Sequence, residues 1–216
     1  MKIKPITYLG ILLSYLTISG VNWIFKTYNG EQLNNAQVVA KEFIILALVG
    51  VLLILVVKGE KLGLDSIGLK FEGWGKSLLL TLAIMASTVV AIIIGVVISQ
   101  WMGWSFGESK AFDALSLWTV TLVTIRAGVA EEVFMRGYLL ERLTTLFGNK
   151  WFAIALSLLP FALLHYPGQG WAGVLVSFNA GAVLTAFYFW KRDLKANILA
   201  HFLIDFIANV VPAWFV

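Results

Sequence analysis

Six residues in the second half of the chain have the types and spacings needed to activate water: Glu131, Glu132, Arg136, His165, His201 and Asp205. Glu132 and Arg136 are four apart, so they share a helical face in the acid-first order that favours an ion pair. Glu131 points about 100° further round the helix and can address a different partner. His201 and Asp205 are also four apart, so the aspartate can accept a hydrogen bond from the imidazole and fix its tautomer. Phe161 precedes His165 by four residues and can pack beside its ring. A carboxylate in a low-dielectric cavity takes up a proton more readily than one in water, which is what a general base requires. Glu131 has no cation one turn later in the sequence and is assigned as that base, with His165 positioning the water. Glu132 and Arg136 form a supporting pair. His201 can donate to a developing oxyanion, where one well-placed donor is worth about 2.7–4 kcal/mol.

These side chains sit in apolar surroundings. The chain has 216 residues, of which 60% are hydrophobic and only 13% charged, and its mean hydropathy is +0.87. A soluble domain is about 45–50% apolar and about 25% charged. The composition excludes a disordered chain. The lack of cysteine excludes a disulfide framework, a thiolate metal site and a cysteine nucleophile. A bilayer core of about 30 Å takes roughly 20 apolar residues per helix. Apolar runs near that length cover 6–25, 38–57, 77–102, 115–135, 151–166, 171–190 and 197–215. The pattern predicts an all-α, polytopic transmembrane bundle of about seven to eight helices, the fourth run continuing as an amphipathic helix to Phe147. The run at 6–25 reads as a retained span rather than a signal peptide, because its start is weakly basic and no small-residue cleavage site follows. One integral-membrane domain then covers 1–216, with its motif-bearing core at about 115–216.

Placing the N-terminus on the cytoplasmic side puts 11 of the 16 Lys and Arg residues inside, beginning with Lys2. Lys26, Lys41 and Lys110 fall outside, and Arg126 and Arg136 within a span. That asymmetry favours N-terminus in and C-terminus out. It also accounts for the net charge of +4 without a nucleic-acid partner. All nine Trp residues, from Trp23 to Trp214, lie within a few residues of a span end, as an interfacial aromatic belt would have it. Two local patterns are discounted. Gly103-Trp104-Ser105-Phe106-Gly107 matches a nucleophile elbow, which needs a strand-to-helix turn in an α/β sheet, so it reads as an interfacial turn. Gly75-Lys76-Ser77 resembles the end of a phosphate loop, but Lys70 stands where the first glycine is required. The ionisable groups inside the apolar runs remain, and in a membrane such groups are functional candidates by default.

Glu131-Glu132-x-x-x-Arg136, Phe161-x-x-x-His165 and His201-x-x-x-Asp205, in that order, resemble the three motifs of the CAAX prenyl endopeptidase and bacteriocin-processing family, also called CPBP or Abi. The resemblance runs from about Arg126 to Asn209 and loosely includes Ser66-Ile67-Gly68-Leu69. It implies an all-helical intramembrane endopeptidase of the glutamate type. Such enzymes remove C-terminal tripeptides from prenylated proteins in eukaryotes; in bacteria they are linked to peptide processing, bacteriocin self-immunity and signalling. By this resemblance Glu131 and His165 activate water, and His201 and Asp205 form the oxyanion side. The last motif position is often Asn in prenyl-processing members. An ionised carboxylate cannot donate a hydrogen bond, so Asp205 has to be protonated or to act by orienting His201. The implied partner is a membrane-associated peptide or protein substrate in the bilayer, and the short length with the resemblance points to a bacterial cell membrane.

Counting about 1.5 Å per residue puts Glu131 and His201 in the inner part of the membrane and His165 further out. A kink at Pro160, or an inward dip of Pro167-Gly168-Gln169-Gly170 into a protein cavity, is needed to close the site. Three rival readings use the same residues. Zinc bound by the Glu, His and Asp side chains would make the chain a metalloendopeptidase. No H-E-x-x-H pair is present and Arg136 opposes a cation, so no cofactor is expected. A proton-coupled transporter could use an acid and histidine relay, but no internal repeats are apparent. A non-catalytic membrane binding or self-immunity protein would keep its effect without Glu131.

Overall fold

The computed structural model describes residues 3–107, 112 and 114–212; Lys2, Lys110, Trp214 and the end of the last apolar run lie outside them. Among the described residues all regular structure is helical. Helix α1 covers Pro5–Asn29, and α2 covers Asn35–Ile54 and continues as a π-helix over Leu55–Glu60. A short 3-10 turn at Leu64–Ile67 leads to α3, Trp74–Trp101. Helix α4, Leu117–Arg126, passes into a π-helical segment, Ala127–Leu139, and then into α5, Leu140–Phe147, with helical dihedrals at both junctions. Helices α6 (Lys150–Leu163), α7 (Tyr166–Lys191) and α8 (Leu194–Asn209) complete the bundle.

Local chemistry sets the boundaries. Asn34 and Gln37 form a reciprocal capping box at the start of α2, and the Ser116 and Asn149 side chains accept from the first free amides of α4 and α6. Gly148 ends α5 at φ 64°, in the left-handed region that favours glycine.

Two of the long helices are inside-out relative to a soluble protein. The buried residues of α1 are Thr7, Gly10, Ser14 and Thr17, while Leu9, Leu12 and Leu16 are exposed. On α3, Ser77, Thr81, Thr88, Gly95 and Ser99 turn inward while Leu79, Leu82, Val90 and Ile93 face out. Small residues at helix contacts and large apolar residues outward suit a lipid solvent. Four helices are long and apolar enough to cross a membrane: Pro5–Asn29, Asn35–Glu60, Trp74–Trp101 and Tyr166–Lys191. Trp74, Trp101, Trp118, Trp151 and Trp190 stand exposed at helix ends, where an aromatic belt places them. The expected helical membrane bundle is the fold, and the protein is an integral membrane protein.

The fifth apolar run departs from its expected length. Helix α6 stops at Leu163 after 14 residues, about 21 Å at 1.5 Å per residue, well short of the bilayer core. Pro160 lies inside it. The chain turns back at once into α7, whose first turns are broken at Gly170, φ 63° and ψ −164°. Residues 103–107, read as a turn, do not form a strand, and the Gly107 amide donates to the Gln169 carbonyl at 3.3 Å. The irregularity needed to lower His165 into the bundle is therefore present.

Helix α3 packs along α7 and α8, and α8 packs along the π-helical segment. At one end of the bundle a buried carboxylate, Glu60, gathers the termini of several elements. It accepts from Arg142 at 2.7 and 3.0 Å, from the Tyr138 hydroxyl at 2.9 Å and from Thr7 at 2.8 Å. Near the site α8 approaches the π-helical segment closely at Gly128, where an added Cβ would lie 2.8 Å from Phe202 Cβ and 2.9 Å from its backbone nitrogen. Gly128→Ala is therefore expected to push α8 outward and destabilise the protein by about 1–3 kcal/mol. Gly50→Ala, with nothing within 4 Å, should be neutral or stabilising by up to about 1 kcal/mol. Thermal unfolding of both variants in detergent measures the difference.

Candidate active site

The π-helical segment determines how two adjacent glutamates part company. Its i→i+5 bonding widens the turn, so residues five apart come to one face. Arg126 and Glu131 are so spaced, and Arg126 Nη1 donates to Glu131 Oε1 at 2.9 Å. Glu131 has no cation one turn later, as the sequence indicates; its partner stands five residues before it instead. The Nε edge of the same guanidinium donates to Glu42 Oε2 on α2. Glu42 is fully buried and was not singled out in the sequence, although an acid inside the 38–57 apolar run is the kind of signal that marks one.

Glu132 has no exposed surface and is fully occupied. Its Oε1 accepts from Arg136 Nη1 at 2.9 Å and from His201 Nδ1 at 2.8 Å, and its Oε2 accepts from Asn197 Nδ2 at 3.2 Å. The expected Glu132–Arg136 pair is thus present, one turn apart. Arg136 also donates to the Gly181 carbonyl at 3.3 Å and stacks 4.5 Å from the Phe161 ring centroid. Asn197 is a second residue that the sequence did not bring forward, although Asn197, His201 and Asp205 form an i, i+4, i+8 stripe on α8.

The partner that orients His201 is Glu132, not Asp205 as the four-residue spacing suggests. Glu132 accepts from Nδ1, which directs Nε2 into the cavity, 3.6 Å from Asp205 Oδ2 and 3.9 Å from Glu131 Oε2. Both separations exceed hydrogen-bond reach. At such distances a bridging water is the natural question. His165 sits in the tight turn between α6 and α7. Its Nδ1 lies 3.0 Å from the Phe161 carbonyl. A carbonyl only accepts, so Nδ1 carries the proton and Nε2 of the neutral ring is free as an acceptor. Phe161 packs edge-on against the imidazole at 5.2 Å, as its spacing predicts.

Two cavities, of about 510 and 390 Å³, share Arg126, Glu131, Phe161 and His165 in their walls. The larger extends along α1 past Ile18, Asn22 and Lys26; the smaller is lined by His201, Asp205, Gln169 and Ser177. Five of the six residues singled out by chemistry thus converge around one space or directly behind it, with Arg136 supporting Glu132 from the far side. Among the described residues no three or more Asp, Glu, His or Cys side chains converge as metal ligands, and both glutamates already face a guanidinium.

Removing one member of a buried ion pair leaves an uncompensated charge, at a cost of about 3–5 kcal/mol. Arg136→Ala is expected to show that loss in thermal unfolding and to reduce the yield of inserted protein. Asp205→Ala, one-third exposed at its side chain and, among the described residues, bonded to no group by its carboxylate at hydrogen-bond distance, should unfold within about 1 kcal/mol of wild type.

Residues 113–207 match the family model described as Type II CAAX prenyl endopeptidase Rce1-like, a family of proteases. No curated protein and no solved structure matches the chain. The matched segment holds α4, the π-helical segment, the α6–α7 turn and all six motif residues. The motif-bearing part of this chain is therefore similar to the Rce1-like CAAX prenyl endopeptidase family.

Proposed function

We propose that the protein is an intramembrane endopeptidase that hydrolyses a peptide bond of a membrane-associated substrate with water activated by Glu131 and His165. The observation that carries this reading is the difference between the two neighbouring glutamates. Glu132 is enclosed and saturated by Arg136, His201 and Asn197. Glu131 is held through one oxygen by Arg126 while its other oxygen faces the cavity. Of the two glutamates, only Glu131 has a carboxylate oxygen without a hydrogen-bond donor.

In the reaction, a water beside Glu131 Oε2 and His165 Nε2 gives one proton to Glu131, and its oxygen adds to the scissile carbonyl carbon. The carbonyl oxygen becomes an oxyanion, which His201 stabilises by donating from Nε2 as imidazolium while Nδ1 donates to Glu132. Collapse of the intermediate breaks the C–N bond, and the proton held by Glu131 passes to the leaving amine. The products are a carboxylic acid and an amine, which then pass a proton between them to leave as carboxylate and ammonium, and Glu131 returns to its starting state. Asp205 lies near His201 Nε2. An ionised Asp205 cannot itself donate to the oxyanion, so its role is electrostatic. One integral-membrane domain with a cytoplasmic N-terminus fits the placement of the basic residues, and a bacterial cell membrane fits the resemblance. Prenylated and bacteriocin-type peptides are the candidate substrate classes.

Peptide termini in membranes expressing wild type, Glu131→Gln or His165→Ala, at equal insertion, test the proposal. Termini present only with wild type are expected, with a rate loss of about 10²–10⁴-fold in each variant. Chelator should leave cleavage unchanged; inhibition that zinc reverses would replace the water mechanism with a metal one. Identical termini in all three membranes, with a biological effect retained in Glu131→Gln, would move a non-catalytic binding or immunity role ahead.

A further inference from the structure

We infer that Glu42 is a positioning residue for Glu131 and acts through Arg126, so that α2, outside the family-matched segment, holds one wall of the site. The inference rests on the protease reading above for its kinetic consequence and on geometry for its structural part. Arg126 is gripped at two edges, its Nε by Glu42 and its Nη1 by Glu131. A guanidinium is planar, and fixing both edges prevents it from turning. Glu131 Oε1 is thereby fixed and Oε2 is aimed at the cavity. Arg126 itself is 7% exposed and Glu42 not at all. Glu42 Oε1 lies 3.1 Å from Lys41 Nζ, which gives the carboxylate a cation on its other side.

A second clasp holds the same two helices in register. Asn35 Oδ1, at the start of α2, accepts from the Ser116 amide at 2.8 Å and from the Thr119 hydroxyl at 2.6 Å at the start of α4. From Asn35 to Glu42 is seven residues, and from Thr119 to Arg126 is also seven. The two clasps therefore sit about two turns apart on both helices, which run in the same direction. Sliding α2 along α4 would break both clasps at once. Interhelical polar contacts in membranes average only about 0.6 kcal/mol. The Asn35 clasp is of that kind and adds little to stability, while the buried Glu42–Arg126 pair fixes where Arg126 stands.

The test uses full-length protein in lipid nanodiscs. The infrared difference between wild type and Glu131→Gln isolates the Glu131 carboxyl band, which needs no turnover. That band is expected to move in Glu42→Gln and to move less in Glu42→Asp, which keeps the charge; a band unmoved in both overturns the inference. On a fluorogenic farnesylated peptide, Glu42→Gln is expected to lose about tenfold to hundredfold in kcat, with KM changed by less than about threefold. In an Arg126→Gln background the same change should cost less than about twofold more, because its route to Glu131 is already gone. Losses that multiply would overturn the inference, since a general structural weakening would act in both backgrounds. If Glu42→Gln fails to fold, the Glu42→Asp band and its kcat decide. A wild type that leaves the peptide intact, while Glu131→Gln membranes also show unchanged termini, counts against the protease reading alone, and the infrared result still decides on Glu42.

Discussion

Charge buried among apolar helices has to be neutralised where it lies, and in this bundle that requirement is concentrated on Glu132. Isolated carboxylates lose several kcal/mol on leaving water, so a fully buried one persists only with donors on every side. Glu132 draws Arg136 from its own helix and Asn197 and His201 from α8. Arg136 in turn touches the Gly181 carbonyl on α7 and the Phe161 ring on α6. One carboxylate thus ties four elements together around it. The close approach at Gly128 and the packing of α8 on the π-helical segment keep His201 within reach of it.

That arrangement separates two chemically identical neighbours. Glu132 is the hub, with both oxygens held by donors. Glu131 is the rim of a cavity, with one oxygen restrained and one free. On the proposed mechanism this is the division a hydrolase needs: a fixed charge to orient a histidine, and a mobile proton acceptor beside it. The same logic accounts for the two histidines. Each has its Nδ1 committed, one to the Phe161 carbonyl and one to Glu132, and each therefore presents Nε2 for chemistry.

Much of this was legible in the sequence, and the parts that were not have a common cause. Two four-residue spacings read correctly: Glu132 with Arg136, although both lie in the π-helical segment, and Phe161 with His165 across the end of α6. The apolar runs located every long helix to within a few residues. What sequence periodicity missed were relations that depend on non-α geometry or on distant segments. The Arg126–Glu131 pair exists because the helix widens there, and a 3.6-residue period puts those two side chains on different faces. Asn197 is an ordinary residue in the sequence until another helix stands against it, and Glu42, though an acid inside an apolar run, carries no sign there of which helix it meets. Pro160 and the Pro167-Gly168-Gln169-Gly170 stretch marked an irregularity in the sequence, but the stop of α6 at Leu163 did not show, because the apolar run continues past it to Tyr166. His201 and Asp205 have the right spacing to bond, but Glu132 is the stronger competitor for Nδ1, at 2.8 Å with a buried negative charge.

The π-helical segment is the element where these threads meet. Thirteen residues of i→i+5 bonding are unusual, since most π geometry occurs as single turns at functional positions. An α-helix through the same sequence would keep Glu132 over Arg136 but would swing Arg126 off the face of Glu131. Glu131 would then have to find another cation or leave the cavity wall, and Glu42 would hold a guanidinium pointing elsewhere. The wider turn lets one helix answer two demands in opposite directions along its length, a cation five residues before Glu131 and another four residues after Glu132. It also explains how a single helix can present adjacent acids to different environments, one sealed and one open. The backbone irregularity is thus the cause of the electrostatic asymmetry, and the asymmetry is what the proposed chemistry uses.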